Sequence, residues 1–192
     1  MSLEHILLGC LETPASGYDL KIYFDQQIRQ FWSAELSQIY PTLKRLESRG
    51  WLTSHTEPSP KGPPRKVYTR TPGGRDALIL WLTGGPEVGS ERFSYLAQVF
   101  FMDQVGDLHA TRQFMLDVKA RMVAWRAALT RVEREERALA EKPPEQFPSN
   151  GLHRFIALRM GIHSIGSKIA WCDETVALLD ARLATASEGE TR

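Results

Sequence analysis

Nine apolar residues near the C-terminus are spaced with a regularity that leaves little choice of structure. Phe155, Leu158, Ile162, Ile165, Ile169, Cys172, Val176, Leu179 and Leu183 follow one another in unbroken steps of three and four. That is an a/d series over four heptads, the mark of a helix with its apolar seam against another helix. An earlier run, Met115, Val118, Met122, Trp125, Leu129 and Val132, steps in the same way; Glu136 interrupts it and Leu139 resumes it. Lys142-Pro143-Pro144 ends that helix, and Pro148-Ser149-Asn150-Gly151 completes the turn. Ahead of both, Phe93, Leu96, Val99, Phe100 and Phe101 make a short, very apolar helix ending near Gly106-Asp107. Folding 108–141 back on 152–184 covers part of this apolar surface. The simplest cover for the rest is the same surface on a second copy about a two-fold axis; an intramolecular three-helix bundle is the alternative. The expected dimerisation residues are Phe100, Phe155, Leu158, Ile162, Ile165, Ile169, Cys172, Val176 and Leu179. Residues 187–192 are expected to be a disordered tail.

The first half of the chain reads differently. Leu3, Ile6, Leu7, Cys10 and Leu11 predict a short helix that Thr13-Pro14 stops. Ala15-Ser16-Gly17 is read as a turn, with Ser16 or Gly17 capping a second helix from Tyr18 to about Arg29. A third helix begins near Ala34 or Glu35. In it Leu36, Ile39, Leu43 and Leu46 share one face. Ser37, Lys44, Arg45 and Ser48 centre the opposite face, with Gln38, Tyr40 and Arg49 on its flanks. Pro41 should distort this helix mildly, and Gly50 ends it. Residues 51–56 and 65–70 then read as two strands, joined by a Pro-rich loop over 58–64. Thr71-Pro72 is an N-cap followed by Pro at the first helical position, opening a fourth helix that ends at Gly84-Gly85-Pro86.

Helix, helix, helix, hairpin, helix is the order of a winged helix-turn-helix. The charge distribution agrees. The chain of 192 residues has a net charge of only +1. Residues 29–75 hold nine Lys and Arg against three Glu, a local excess of +6. A basic patch inside a near-neutral protein is the footprint expected of phosphate contact. The fold class is therefore mainly α. The expected domains are a winged helix-turn-helix over 1–84, a linker over 85–92 and a helical, coiled-coil-like dimerisation domain over 93–186.

Several motifs resemble one family. Leu7-Leu8-Gly9-Cys10-Leu11 followed by Gly17-Tyr18-Asp19-Leu20 resembles the N-terminus of the PadR transcriptional regulators. Gln38-Ile39-Tyr40-Pro41-Thr42-Leu43-Lys44-Arg45-Leu46-Glu47 is close to that family's recognition-helix signature. Arg65-Lys66-Val67-Tyr68 and Thr71-Pro72-Gly73-Gly74-Arg75-Asp76-Ala77-Leu78 are similar to its wing strand and following helix. Phe100-Phe101-Met102-Asp103, Gly161-Ile162 and Trp171-Cys172-Asp173-Glu174 resemble the virulence-activator-alpha-like C-terminal domain of its longer members. Cys10 stands where the family more often has an aliphatic residue. The resemblance implies a homodimeric regulator, in which Tyr40 touches a phosphate and a small planar aromatic acts as effector.

The chemistry of the side chains suggests further roles. Gln38 suits bidentate pairing to adenine, and Arg45 or Lys44 suits guanine. Ser37 lies near a helix start and suits a phosphate. Arg49 flanks the same face. Lys61, Arg65 and Lys66 at the wing should straddle the backbone or reach the minor groove. Arg70 and Arg75 are read as structural or peripheral. Tyr40 also suits packing against the second helix. Phe100, Met122, Trp125 and Trp171 are candidates for an apolar effector pocket, with plain core as the alternative.

Other functions find no motif. The five histidines show no HExxH, HxH or Cys/His spacing, so no metal or other cofactor is expected. No Walker loop, GxGxxG after a strand or GxSxG points to an enzyme. Cys10 and Cys172, each in an apolar run, read as buried thiols in a reducing cytoplasm. No spanning helix or secretory signal is read, so no membrane partner is expected. The reading is a cytoplasmic homodimeric regulator, a repressor by expectation, acting on double-stranded DNA at an inverted-repeat operator. The rival is a protein-interaction adaptor that uses the same winged helix and coiled coil.

Overall fold

The computed structural model describes residues 2–29, 31–59, 62–89 and 92–190. It divides into two compact units, Met1–Gly89 and Ser90–Arg192.

In the first unit, α1 (Ser2–Cys10) leads to a two-residue strand, β1 (Ala15–Ser16), and α2 (Gly17–Tyr23). The Ser16 hydroxyl accepts from the Asp19 amide at 3.2 Å, and the Asp19 carboxylate accepts from the Ser16 amide at 3.0 Å. This capping box fixes where α2 begins. A π-helical turn, Phe24–Ile28, continues it. The wider turn keeps Leu20, Phe24 and Ile28, spaced four apart, together in the core. Next come α3 (Leu36–Ser48), β2 (Leu52–Ser59), β3 (Gly62–Arg70) and α4 (Pro72–Thr83). Leu7, Leu8, Leu11, Leu20, Phe24, Ile39, Leu43, Leu46 and Leu52 form one buried cluster that seats α3 on α1, α2 and β2.

The sheet departs from the expected hairpin in two ways. Ala15 and Ser16, read as a turn, pair with Tyr68 and Val67 of β3, so the order is β1-β3-β2. The hairpin arms are also longer than expected. Pairing runs from Leu52 opposite Arg70 out to Ser59 opposite Gly62, through the stretch read as a Pro-rich loop. Proline is excluded from a central ladder but tolerated at bulges and open edges. Pro58 sits at the register shift between Glu57 and Ser59. Pro63 and Pro64 lie beyond the two β3 residues that β1 covers.

The second unit holds α5 (Ser94–Phe100), α6 (Leu108–Ala140) and α7 (Ser149–Glu190). A 3-10 turn, Met102–Val105, and left-handed Gly106 end the α5 region. Asp107 then caps α6, its carboxylate accepting from the His109 amide at 2.8 Å. The two long helices are antiparallel: Arg112 pairs with Asp180, Lys119 with Asp173, Glu133 with Arg159 and Glu136 with Arg154. Between them lie Met115, Val118 and Leu129 from α6, facing Leu158, Ile162, Ile165 and Cys172. α7 starts earlier and ends later than read. Ser149-Asn150-Gly151 already belongs to it, and helix persists through 187–190, where a disordered tail was expected. Once a long helix is nucleated, extension past the last buried residue adds a hydrogen bond per residue. Residues 191 and 192 lie outside the described residues. No helix among the described residues is long and apolar enough to cross a membrane.

Candidate nucleic-acid interface

α3 presents three faces. Ile39, Thr42, Leu43 and Leu46 are buried. Ser37, Pro41, Lys44 and Ser48 are exposed on the opposite side. Glu35 caps the helix, its backbone amide donating to the Gln38 side chain at 3.1 Å. Pro41 removes a backbone donor, yet α3 runs unbroken through it. The Thr42 hydroxyl donates to the Gln38 carbonyl at 2.8 Å in the same turn.

The third division is between the two flanks. On the wing side, Tyr40 stands over Gly17: a Cβ on Gly17 would fall 2.5 Å from Tyr40 Cε1. The ring therefore packs on the start of α2 and remains partly open to solvent. Beyond it Glu47 accepts from Lys66 Nζ at 2.7 Å and also from Ser54. The hydrogen bond from Lys66, then that from Ser54, holds the Glu47 carboxyl below the usual carboxylate range. Lys66 Nζ also lies 5.2 Å from the centre of the Tyr68 ring. Arg65 pairs with Glu57 at 3.1 Å and with Asp19 at 3.6 Å. Hydrogen bonds from Ser16 hold Asp19 low, and the charge of Arg65 adds to them.

On the other flank, Arg45 and Arg49 turn towards α1. Arg45 Nε donates to Glu4 Oε1 at 2.6 Å, and Arg49 Nη1 donates to Glu4 Oε2 at 2.9 Å. Arg45 Nη2 also reaches Thr42 Oγ1 at 3.3 Å, and Arg49 lies over the Trp51 ring at 5.3 Å. Burial pushes the Glu4 carboxyl up, but the hydrogen bond from Arg45 and the charges of Arg49 and Arg45 outweigh it and leave it low.

The expected DNA-contacting residues thus split. Ser37, Tyr40 and Lys44 gather on the outer face and wing flank, with Arg65 and Lys66 on β3 beside them. Gln38 is exposed in the first turn, on the same side of the helix as Arg45 and Arg49. Lys44 makes no ion pair or hydrogen bond within the protein among the described residues. Arg45 and Arg49 stand apart, engaged with α1. Lys61 lies outside the described residues. Arg70 donates to the Leu8 carbonyl at 2.8 Å, tying β3 to α1, and Arg75 is exposed on α4. Sequence reasoning missed Glu4. Its signal was a lone carboxylate within the first apolar helix, where a buried charge needs a partner.

The residues expected at a dimer seam are placed otherwise. Phe155, Leu158, Ile162, Ile165 and Cys172 are buried against α6 of the same chain, with Ile169, Val176 and Leu179 packed beside them. The heptad seam of α7 is filled internally, because α6 carries a matching series. Of that set only Phe100 is open, 78% exposed. A second stripe on α7, roughly opposite the seam, carries Ile156, Met160 and Leu178, all exposed. Its spacing is helical too, but His163, Ser167 and Glu174 dilute it. Of the expected effector pocket, Met122 and Trp125 pack in the α6–α7 core and Phe100 is on the surface. Trp171 instead lines an open cavity of about 560 Å³ between α5 and α7, with Phe93, Tyr95, Leu96, Met160 and Lys168. No group of three or more His, Cys, Asp or Glu among the described residues is arranged to hold a metal.

Comparison with known proteins bears on both units. A profile described as the transcriptional regulator PadR-like family matches residues 6–79, and one described as virulence activator alpha C-term matches residues 92–180. The chain belongs to the PadR family. This PadR-family chain is 28% identical to the negative transcriptional regulator PadR of Bacillus subtilis, over 93% of its own length and 97% of the relative's. The crystal structure of Bacillus subtilis PadR in complex with operator DNA shares its fold, with a TM-score of 0.76 and 24% identity over 93% of this chain and 99% of that one. The same regulator in complex with p-coumaric acid matches with a TM-score of 0.67 and 26% identity, over 93% and 95%. The protein is thus a PadR-type transcriptional regulator with a winged-helix unit and a C-terminal helical unit.

Proposed function

We propose that this protein is a cytoplasmic, homodimeric repressor that binds an inverted-repeat operator. Each copy lays the outer face of α3 in one major groove, with half-site centres about 34–36 Å apart or a multiple of it. Gln38 and Lys44 read base edges. Ser37, Tyr40, Arg65 and Lys66 meet phosphates. The observation that carries this reading is the bare outer face of α3: a leucine-seated helix showing Ser37, Lys44 and Ser48 to solvent beside a basic wing. Dimerisation uses the exposed stripe Ile156, Met160 and Leu178 together with Phe100.

The cavity between α5 and α7 is proposed as the effector site. Aromatic walls with a nearby ammonium group suit a planar aromatic anion, and a relative's complex with p-coumaric acid supports that class. It shares Met160 with the stripe proposed for dimerisation, so an occupant changes how two copies meet. A ligand preferring one dimer geometry shifts the spacing of the two α3 helices.

Duplex binding measured against salt tests the DNA reading. Phosphate contact gives a slope of log K on log salt of about −0.9 per phosphate neutralised. Lys44→Ala should cost about 1–3 kcal/mol on the selected operator and much less on a scrambled duplex, if Lys44 reads a base. A protein adaptor would show no such slope. A wild-type protein indifferent to salt and sequence would sink the proposal.

A further inference from the structure

We propose that Glu4 is a positioning residue for DNA reading: by engaging both Arg45 and Arg49 it withholds these two guanidinium groups from phosphate and so sets the preference for operator over other DNA. The inference rests on the reading of α3 as the DNA-reading helix. Its ground is geometric. Glu4 is buried, and each of its oxygens takes one arginine, at 2.6 and 2.9 Å. Each arginine is then held at a second point, Arg45 by Thr42 Oγ1 and Arg49 by the face of Trp51. A surface arginine ordinarily spends its rotamer freedom on whatever anion comes within reach. These two have a resident anion already, and Glu4 is buried, whereas Asp19, Glu57 and Glu47, which pair with Arg65 and Lys66, lie open enough for a phosphate to displace them. Both lie on the α1 flank of α3 rather than on the face of Ser37, Lys44 and Ser48.

The consequence falls unequally on two kinds of complex. Non-specific binding is almost all phosphate contact, and such a complex shifts its register to use any free cation. In the specific complex base edges fix the register. Two more mobile guanidiniums would therefore help the first far more than the second. Glu4 acts through the arginines and touches no DNA itself.

Two variants test this, each titrated against salt on two duplexes. One duplex is selected by the wild-type protein from a random pool; the other is a scrambled duplex of the same length. Glu4→Gln should tighten scrambled-duplex binding about three- to tenfold and steepen its salt slope by about 0.9–1.8, one or two phosphates. Affinity for the selected duplex should change less than about threefold, so discrimination falls. R45Q/R49Q keeps amide donors for Glu4 and should leave the scrambled-duplex slope of the wild type unchanged. A slope loss of about 1.8 in R45Q/R49Q would overturn the inference, because the arginines would then be phosphate contacts. Equal weakening on both duplexes by Glu4→Gln would overturn it too, as the mark of a purely structural carboxylate. If Glu4→Gln does not fold, R45Q/R49Q decides alone. A wild-type protein with no salt-dependent duplex binding would refute the DNA reading itself, a different failure.

Discussion

At the scale of single residues, Glu4 is where sequence and structure diverge most usefully. A carboxylate inside an apolar helix is legible as a demand for a cation, but its partners sit 41 and 45 residues away, so only the fold names them. The same pairing makes a prediction about pH. The folded carboxyl is held below its ordinary value, so Glu4 stabilises the fold above the unfolded carboxylate pKa, about 4.3. That contribution is lost as pH falls through the folded value. Both arginines are partly exposed, which limits the contribution to about 1–2 kcal/mol at neutral pH. Urea midpoints of wild type and Glu4→Gln should differ by a constant amount from pH 7 to 5 and converge below about 4. A gap that persisted unchanged to pH 3 would mean the carboxylate charge contributes nothing. Using the difference between variants removes Asp19 and Glu47, which titrate in the same range in both.

At the scale of elements, what a short window contains was legible and what a distant strand supplies was not. The cap Thr71-Pro72 was readable because it needs only its own turn, and Thr71 Oγ1 does accept from the Gly74 amide at 3.1 Å. The outer face of α3 was readable from period for Ser37, Lys44 and Ser48, but not for Arg45, which was read onto that face and turns to Glu4 of α1 instead. β1 was not, because two residues become a strand only through Tyr68 and Val67. The prolines of the wing misled because their cost depends on which side of a strand is paired. The α4 docking geometry offers a test. A Cβ on Gly74 would fall 2.2 Å from the Trp51 carbonyl oxygen, a backbone atom, whereas one on Gly73 would meet only Thr71 Oγ1 at 3.8 Å. Gly74→Ala should therefore force α4 off the α3–β2 connection at a cost of about 1–3 kcal/mol or more. Gly73→Ala should be neutral or stabilising by up to about 1 kcal/mol. Chemical denaturation of the two single variants checks the contrast, and equal midpoints would contradict the close packing of Gly74.

At the scale of the whole molecule, the unresolved choice in the sequence was which apolar surface meets a second copy. The heptad series of α7 was the louder signal, and α6 takes it. Two antiparallel helices of matched period fill each other's seams, leaving Met160 and Leu178 on another face, 64% and 69% exposed. Large apolar side chains recurring along one helix face are costly to leave in water, at about 25 cal/mol per Å². A self-complementary contact through that stripe would give the two-fold symmetry that an inverted repeat mirrors. The expectation can be separated from mere misfolding. M160E/L178E should keep its helical circular dichroism and its unfolding midpoint extrapolated to low concentration, yet run as a monomer by light scattering. Losing the second α3 helix removes the effective-concentration advantage, so operator affinity should fall on the order of 10²–10⁴-fold. Ile162→Glu, by contrast, places a charge in the α6–α7 core and should unfold the helical unit. A protein that remains dimeric with Glu at both 160 and 178 would take the interface off the α7 stripe and leave Phe100, with its exposed neighbour Phe101, to carry it.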